Sequence, residues 1–188
     1  NYTGGDRGYA AIPGGTDRFQ RDFRRVLRYA ERLRPHHIHI MSGITQDAAA
    51  RDTLIENLTW ATAQAPKQSL TIEPLCPHAM PDYFLNSYDL AVEVIEAVGA
   101  PSLGLQFDSF HAQMLTGDAV AAWHQFRPHV RHVQVGDAPD RSAPGTGTVD
   151  FDGLFAAIKA SGYDDWISGE YNPGKKTAPS LGWIRKGT

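Results

Sequence analysis

Apolar residues along this chain recur with two different periods. Phe19, Phe23, Val26, Leu27, Ala30 and Leu33 return every three or four positions with Arg and Glu between them, which predicts an amphipathic helix. Leu54, Ile55, Leu58 and Ala61 repeat that pattern behind Thr45-Gln-Asp47, a cap for the helix start. Asn86-Ser87 opens a third helix through Leu90, Ala91, Val94, Ile95 and Val98, which Gly99 and Pro101 stop. Gly117-Asp118 opens a fourth with Val120, Trp123 and Phe126, ending at Pro128. Asp150 precedes a fifth with Phe151, Leu154, Phe155 and Ile158, closed by Gly162. Between these lie β-rich runs at 37–41, 69–73, 103–108, 130–135 and 166–170, so five helices are expected to alternate with five strands.

Within the strands the period falls to two. Leu70 and Ile72, then Leu103, Leu105 and Phe107, then Val133 and Val135, then Ile167 form an apolar face suited to covering helices. The other face carries Ser69, Thr71 and Glu73, then Gly104, Gln106 and Asp108, then His132 and Gln134, then Ser168 and Glu170. A doubly wound open sheet is more often apolar on both faces. One apolar and one polar face instead favour a closed α/β barrel, whose lumen the polar set would line. A complete (β/α)8 TIM barrel has eight strands in about 250 residues. Five strands in a single domain of 188 residues leave two readings, a smaller open sheet or a barrel without its first three strands.

Four of the strands end in an oxygen-bearing side chain: Glu73, Asp108, Gln134 and Glu170, spaced 35, 26 and 36 residues apart. In a βα-repeat barrel the carboxyl ends of the strands converge on one mouth. Three carboxylates and an amide make a set of hard donors that suits Mg²⁺ or Mn²⁺ better than zinc. Such an ion polarises a carbonyl and stabilises the enediolate formed when a neighbouring C–H proton is removed, while Glu73 and Glu170 offer a general base and a general acid. Taken singly, an acid at a strand end is more often an N-cap or a loop anchor than a ligand. Four in succession on the polar face favour a shared site.

Other residues bear on substrate rather than metal. His111 stands three residues after Asp108 and either touches substrate at the mouth or hydrogen-bonds a neighbouring loop. Arg141 is a candidate for bidentate binding of a carboxylate. His39 faces the lumen and reads first as a satisfied interior histidine, with a substrate contact as its functional alternative; His132 reads as interior. Pro144-Gly-Thr-Gly147 lacks the Lys and the spacing of a P-loop and reads as a turn. Trp166, Trp183 and Tyr171 are expected to be packing residues. A net charge of −3 and a single cysteine, Cys76, point away from nucleic acid, a membrane surface, a disulfide framework or a zinc cluster. No apolar run approaches a bilayer span and no secretory pattern is present, so a cytoplasmic enzyme acting on a small molecule is expected.

Together these segments resemble the hydroxypyruvate isomerase family, within the xylose-isomerase-like barrel superfamily. The carrying residues are Gly5-Asp-Arg-Gly8 with Pro13-Gly14, Ile72-Glu-Pro74, the 80–86 run, Leu105-Gln-Phe-Asp108 with His111, His132-Val-Gln134, Pro144-Gly-Thr-Gly147, Gly162-Tyr163 and Gly169-Glu-Tyr171. The resemblance implies metal ligation by Glu73, Asp108, Gln134 and Glu170, with the two glutamates as proton donor and acceptor. It implies interconversion of hydroxypyruvate and tartronate semialdehyde, or of a 2-oxo-tetronate. Ketose 3-epimerases are less similar, because they carry His where this chain has Gln134, and the extra His ligands of endonuclease-type members have no counterparts here. Asn172 replaces a basic residue of the family and Thr148 an acid, which bears on substrate identity. The family also begins with three strands that precede the first one here, so this chain corresponds to roughly the last five βα units of the barrel. A barrel short of those strands exposes sheet edges, which leads to the expectation of an oligomer, or of an inactive fragment serving as a binding module.

Overall fold

The computed structural model describes residues 7–185; the Gly5-Asp6 part of the first family segment lies outside them. The chain divides into two compact units, the first running to Leu105 and the second starting at Gln106. Both are built from parallel strands alternating with helices.

The first unit contains α1 (Thr16–Leu33), β1 (His37–His39), α2 (Ala50–Gln64), β2 (Ser69–Ile72) and α3 (Tyr88–Val98), and it ends on the first half of β3 (Leu103–Asp108). β1 pairs with β2 in the register His37↔Ser69 and His39↔Thr71, and β2 pairs with β3 in the register Leu70↔Leu103 and Ile72↔Leu105. The apolar positions predicted for the helix-covered face, Leu70, Ile72, Leu103 and Leu105, are all buried. α2 packs between α1 and α3, with Leu54, Leu58 and Ala61 inside. Phe19 and Phe23 of α1 set their rings edge-on to Trp60 at 6.2 and 5.9 Å. Ser87 caps α3 by accepting from Leu90 N, and Gly99 ends it at φ 63, a left-handed turn that glycine takes without a Cβ clash.

The second unit continues with the rest of β3, then α4 (Ser109–Thr116), α5 (Ala119–Phe126), β4 (Val130–Val135), α6 (Phe151–Ala160) and β5 (Ile167–Gly169). β4 lies between β3 and β5 in the strand order, and Val133, Gln134 and Val135 pair with Ile167, Ser168 and Gly169. Asp118 and Asp150 cap α5 and α6 as the sequence predicts. Trp123 is wholly buried, with Phe107 and Tyr163 edge-on at 5.4 and 5.9 Å and the Arg127 guanidinium 5.5 Å over its ring. Trp183 stacks on Phe155 at 6.3 Å and donates to the Tyr171 hydroxyl, so both are packing residues as expected.

Several expectations need correction. A sixth α-helix among the described residues, α4, occupies a stretch to which the sequence pattern assigned no element. Ser109, Phe110, His111 and Ala112 in its first turn are all buried, so no polar face marked it. α2 starts at Ala50 behind Ala49, not at the 45–47 cap; Asp47 instead accepts from Ala49 N at 2.8 Å in a local turn. β1, β2 and β5 are shorter than predicted, although Ile40 N still donates to Thr71 O and Glu170 N to Val135 O. Leu33 is 76% exposed because the α1 stripe outruns its packing partner, and Arg34 turns left-handed directly after it. Trp166 is 68% exposed and is not a packing residue. Strand alternation puts it on the face of Ser168 and Glu170, opposite Ile167.

Phe107 carries much of the second unit's core. Phe107→Ala should lower unfolding stability by about 3–5 kcal/mol in a urea titration, the usual outcome for a buried ring left as a cavity.

Candidate active site

In the first unit Glu73 follows β2 directly and is only 4% exposed. On the same polar face His39 Nε2 lies 3.7 Å from Glu73 Oε2, beyond hydrogen-bonding distance. His37 Nδ1 and Ser69 Oγ, a register pair one pleat deeper, are 2.9 Å apart. Side chains predicted to share the polar face therefore meet there.

In the second unit Asp108 ends β3 and caps α4 at once. Its Oδ1 accepts from Phe110 N at 2.7 Å and His111 N at 3.4 Å, while Oδ2 accepts from Arg141 Nη2 at 3.1 Å. The same Nη2 lies 2.9 Å from Glu170 Oε1, and Arg141 Nε donates to the Glu170 carbonyl at 3.3 Å. One guanidinium thus ties together two residues singled out as ligands, which sit 62 positions apart in the chain. Asp108 has no exposed surface, and this burial lifts its pKa to about 6 against the pull of Arg141 and the two backbone N–H groups, with Glu170 adding to the rise. His111 is also fully enclosed, its ring 5.0 Å from Phe110. Burial first, and Arg141 second, press its pKa down to about 3, so the imidazole is neutral at physiological pH. Gln134 accepts from Gln106 Nε2 at 2.6 Å, and His132 Nε2 lies 3.3 Å from Ser168 Oγ. These contacts place both pairs on the polar face that strand alternation assigns to them.

One residue of this region escaped the sequence reading. Asp137 is completely buried, and five backbone N–H groups are aimed at its carboxylate. Three of them come from Gly145, Thr146 and Gly147. The Pro144-Gly-Thr-Gly147 turn is therefore an anion cradle after all, filled by the chain's own aspartate. The signal available in the sequence was the Gly-Thr-Gly run combined with an acid eight residues earlier.

The donors suit a divalent cation. In the second unit Asp108 and His111 are buried groups that could each give a metal ion one ligand atom, a carboxylate and a neutral imidazole, and in the first unit Glu73 is a further buried carboxylate. Burying carboxylates is unfavourable without a compensating cation or strong donors.

A fold of parallel βα units with carboxylates at its strand ends defines a class, and the chain belongs to the xylose isomerase-like TIM barrel family, which it matches over residues 4–187. It is 35% identical over 191 residues to the 2-oxo-tetronate isomerase of Cupriavidus necator, covering 98% of this chain and 74% of that protein. Against the hydroxypyruvate isomerase of Escherichia coli it is 32% identical over 190 residues, with the same two coverages. Among solved structures it superposes on the protein titled AP endonuclease, family 2, from Brucella melitensis with a TM-score of 0.92. That chain is 34% identical, and the match covers 98% of this chain and 74% of that one. The predicted resemblance to hydroxypyruvate isomerases is borne out, as is the α/β barrel fold class. Among the described residues no helix is long and apolar enough to cross a membrane.

His111 makes a prediction about pH. Its folded pKa is depressed, so its contribution to stability is complete above its unfolded value near 6.5 and declines as pH falls toward 3. Metal-free protein should lose melting temperature between pH 6.5 and 4 more steeply than the His111→Gln variant. Parallel melting curves for the two proteins would remove His111 from this account.

Proposed function

We propose that this chain is a metal-dependent isomerase of a small hydroxy-carbonyl acid, interconverting hydroxypyruvate and tartronate semialdehyde or acting on a 2-oxo-tetronate. That it is an isomerase is supported by the two relatives named for these reactions, each matched over nearly all of this chain. The observation that carries the site is the fully buried Asp108, joined through Arg141 to Glu170. Glu73, Asp108, Gln134 and Glu170 would hold one Mg²⁺ or Mn²⁺ in a cytoplasmic protein, with the neutral His111 beside Asp108. Bound there, the ion supplies Lewis-acid polarisation of the substrate's oxygens.

The chain's own groups do the rest. One of Glu73 and Glu170 takes a proton from the hydroxymethyl carbon of hydroxypyruvate, and the other delivers a proton to the neighbouring carbonyl carbon. The hydroxyl proton passes between the two substrate oxygens, so the hydroxymethyl carbon becomes the aldehyde and the former carbonyl becomes a secondary alcohol. Arg141 binds the substrate carboxylate, for which its planar fork of donors is suited. His39 lies beside Glu73 and keeps that carboxylate oriented.

The activity test is incubation with hydroxypyruvate and, separately, with a free ketose, in Mg²⁺ and in Mn²⁺. Turnover of the acid alone supports the proposal, and turnover of the ketose alone would replace it with a sugar epimerase. Glu170→Gln should keep the fold and lose about 10²-fold or more in turnover, because an amide moves no proton; a near-normal rate would take Glu170 out of the chemistry. Asp108→Ala should weaken Mn²⁺ binding by at least about tenfold in calorimetry, since one charged ligand is lost. Unchanged affinity would remove it from the ligand set.

A further inference from the structure

The segment from Asp137 to Val149 is organised around a buried carboxylate. Asp137 Oδ1 accepts from Ala138 N at 2.9 Å and Val149 N at 3.0 Å. Oδ2 accepts from Gly145 N, Thr146 N and Gly147 N at 2.8, 2.9 and 2.8 Å. The backbone of Asp137 pairs in both directions with Ser142, at 2.9 and 3.1 Å, which closes a tight hairpin with Arg141 inside it. Arg141 has φ 51, a left-handed conformation that a side-chain-bearing residue keeps only where its surroundings fix it. Its carbonyl accepts from Asn172 N at 2.8 Å. One end of this loop is thus locked onto Asp137, and the other delivers a guanidinium to Asp108 and Glu170.

We propose that Asp137 is a positioning residue of the active site: its caged carboxylate holds the loop in the one shape that sets Arg141 between Asp108 and Glu170. The inference rests on the metal site proposed above. Without an ion, Arg141 is the cation that balances these two carboxylates, so a divalent ion and the guanidinium compete for them. Loosening Arg141 should therefore tighten ion binding, whereas general damage to the fold should weaken it. The two roles predict opposite signs.

The experiment is Mn²⁺ calorimetry on the whole chain with Asp137→Asn, Gly147→Ala, Arg141→Ala and the two double variants that include Arg141→Ala. The amide introduced by Asp137→Asn would leave one acceptor oxygen for five donors. A Cβ at Gly147 would clash with the Ala138 carbonyl oxygen and stand 2.7 Å from Asp137 Oδ1, pushing the loop off its anchor with Asp137 and Arg141 both intact. Arg141→Ala should bind Mn²⁺ about two- to fivefold more tightly, the range expected for relief of a partly exposed ion pair. Each loop variant should move affinity the same way by no more than that factor and add nothing once Arg141 is gone. Weaker or unchanged binding in the loop variants, an effect that persists without Arg141, or failure of both loop variants to fold would overturn the proposal. Wild-type protein that takes up no Mn²⁺ would count against the metal reading alone. The positioning role would then be read from metal-free melting, where the loss caused by Asp137→Asn should shrink in the Arg141→Ala background. An equal loss in both backgrounds would overturn it.

Discussion

A carboxylate taken fully out of water must be given back, from the protein, the stabilisation that water supplied. Much of the second unit is arranged around two such groups, and the two are treated differently. Asp137 is held by five neutral backbone donors within one loop. Asp108 receives two backbone N–H groups and one guanidinium, and its pKa still rises to about 6. The first arrangement is closed on itself and structural. The second is a carboxylate whose burial outweighs its donors in setting its pKa, and it stands at the carboxyl end of a strand.

Asp108 also shows that the structural and functional readings of a strand-end acid need not exclude each other. One oxygen caps α4 and the other faces Arg141. The cap fixes the carboxylate's orientation from the helix side, and Arg141 fixes it from the loop side. The cap is preorganisation of the kind a binding site requires, whereas Arg141 is the partner that a bound divalent ion would displace. The fully buried, neutral His111 on the first turn of α4 follows from the same junction, because the helix starts where the strand stops.

Most of the frame was legible in the sequence because strand alternation is a hard geometric rule. Period two assigned Gln106, Gln134, His132 and Ser168 to one face, and the Gln106–Gln134 and His132–Ser168 contacts follow from it. The same rule, applied one residue further, would have put Trp166 on the polar face, away from the apolar face that Ile167 shares with the helices. α4 was not legible: its first turn is buried on all sides, so the amphipathic stripe that reveals other helices is missing. Asp137 was hidden for another reason. Its partners are backbone N–H groups up to twelve residues downstream, and no side-chain pattern records which way an amide points. The metal-capable set was legible as residue types and spacing, while the guanidinium joining two of its members depends on a loop conformation that composition does not encode.

On the function proposed above, Glu73, Asp108, Gln134 and Glu170 would hold one divalent ion. Anomalous diffraction at the manganese edge from Mn²⁺-soaked crystals tests it most directly. The expected result is a single strong peak with oxygens from these four side chains within about 2.0–2.6 Å, and Arg141 withdrawn from Asp108 and Glu170. A peak ligated by other residues, or none at saturating Mn²⁺ with Arg141 still bridging the two carboxylates, would contradict it.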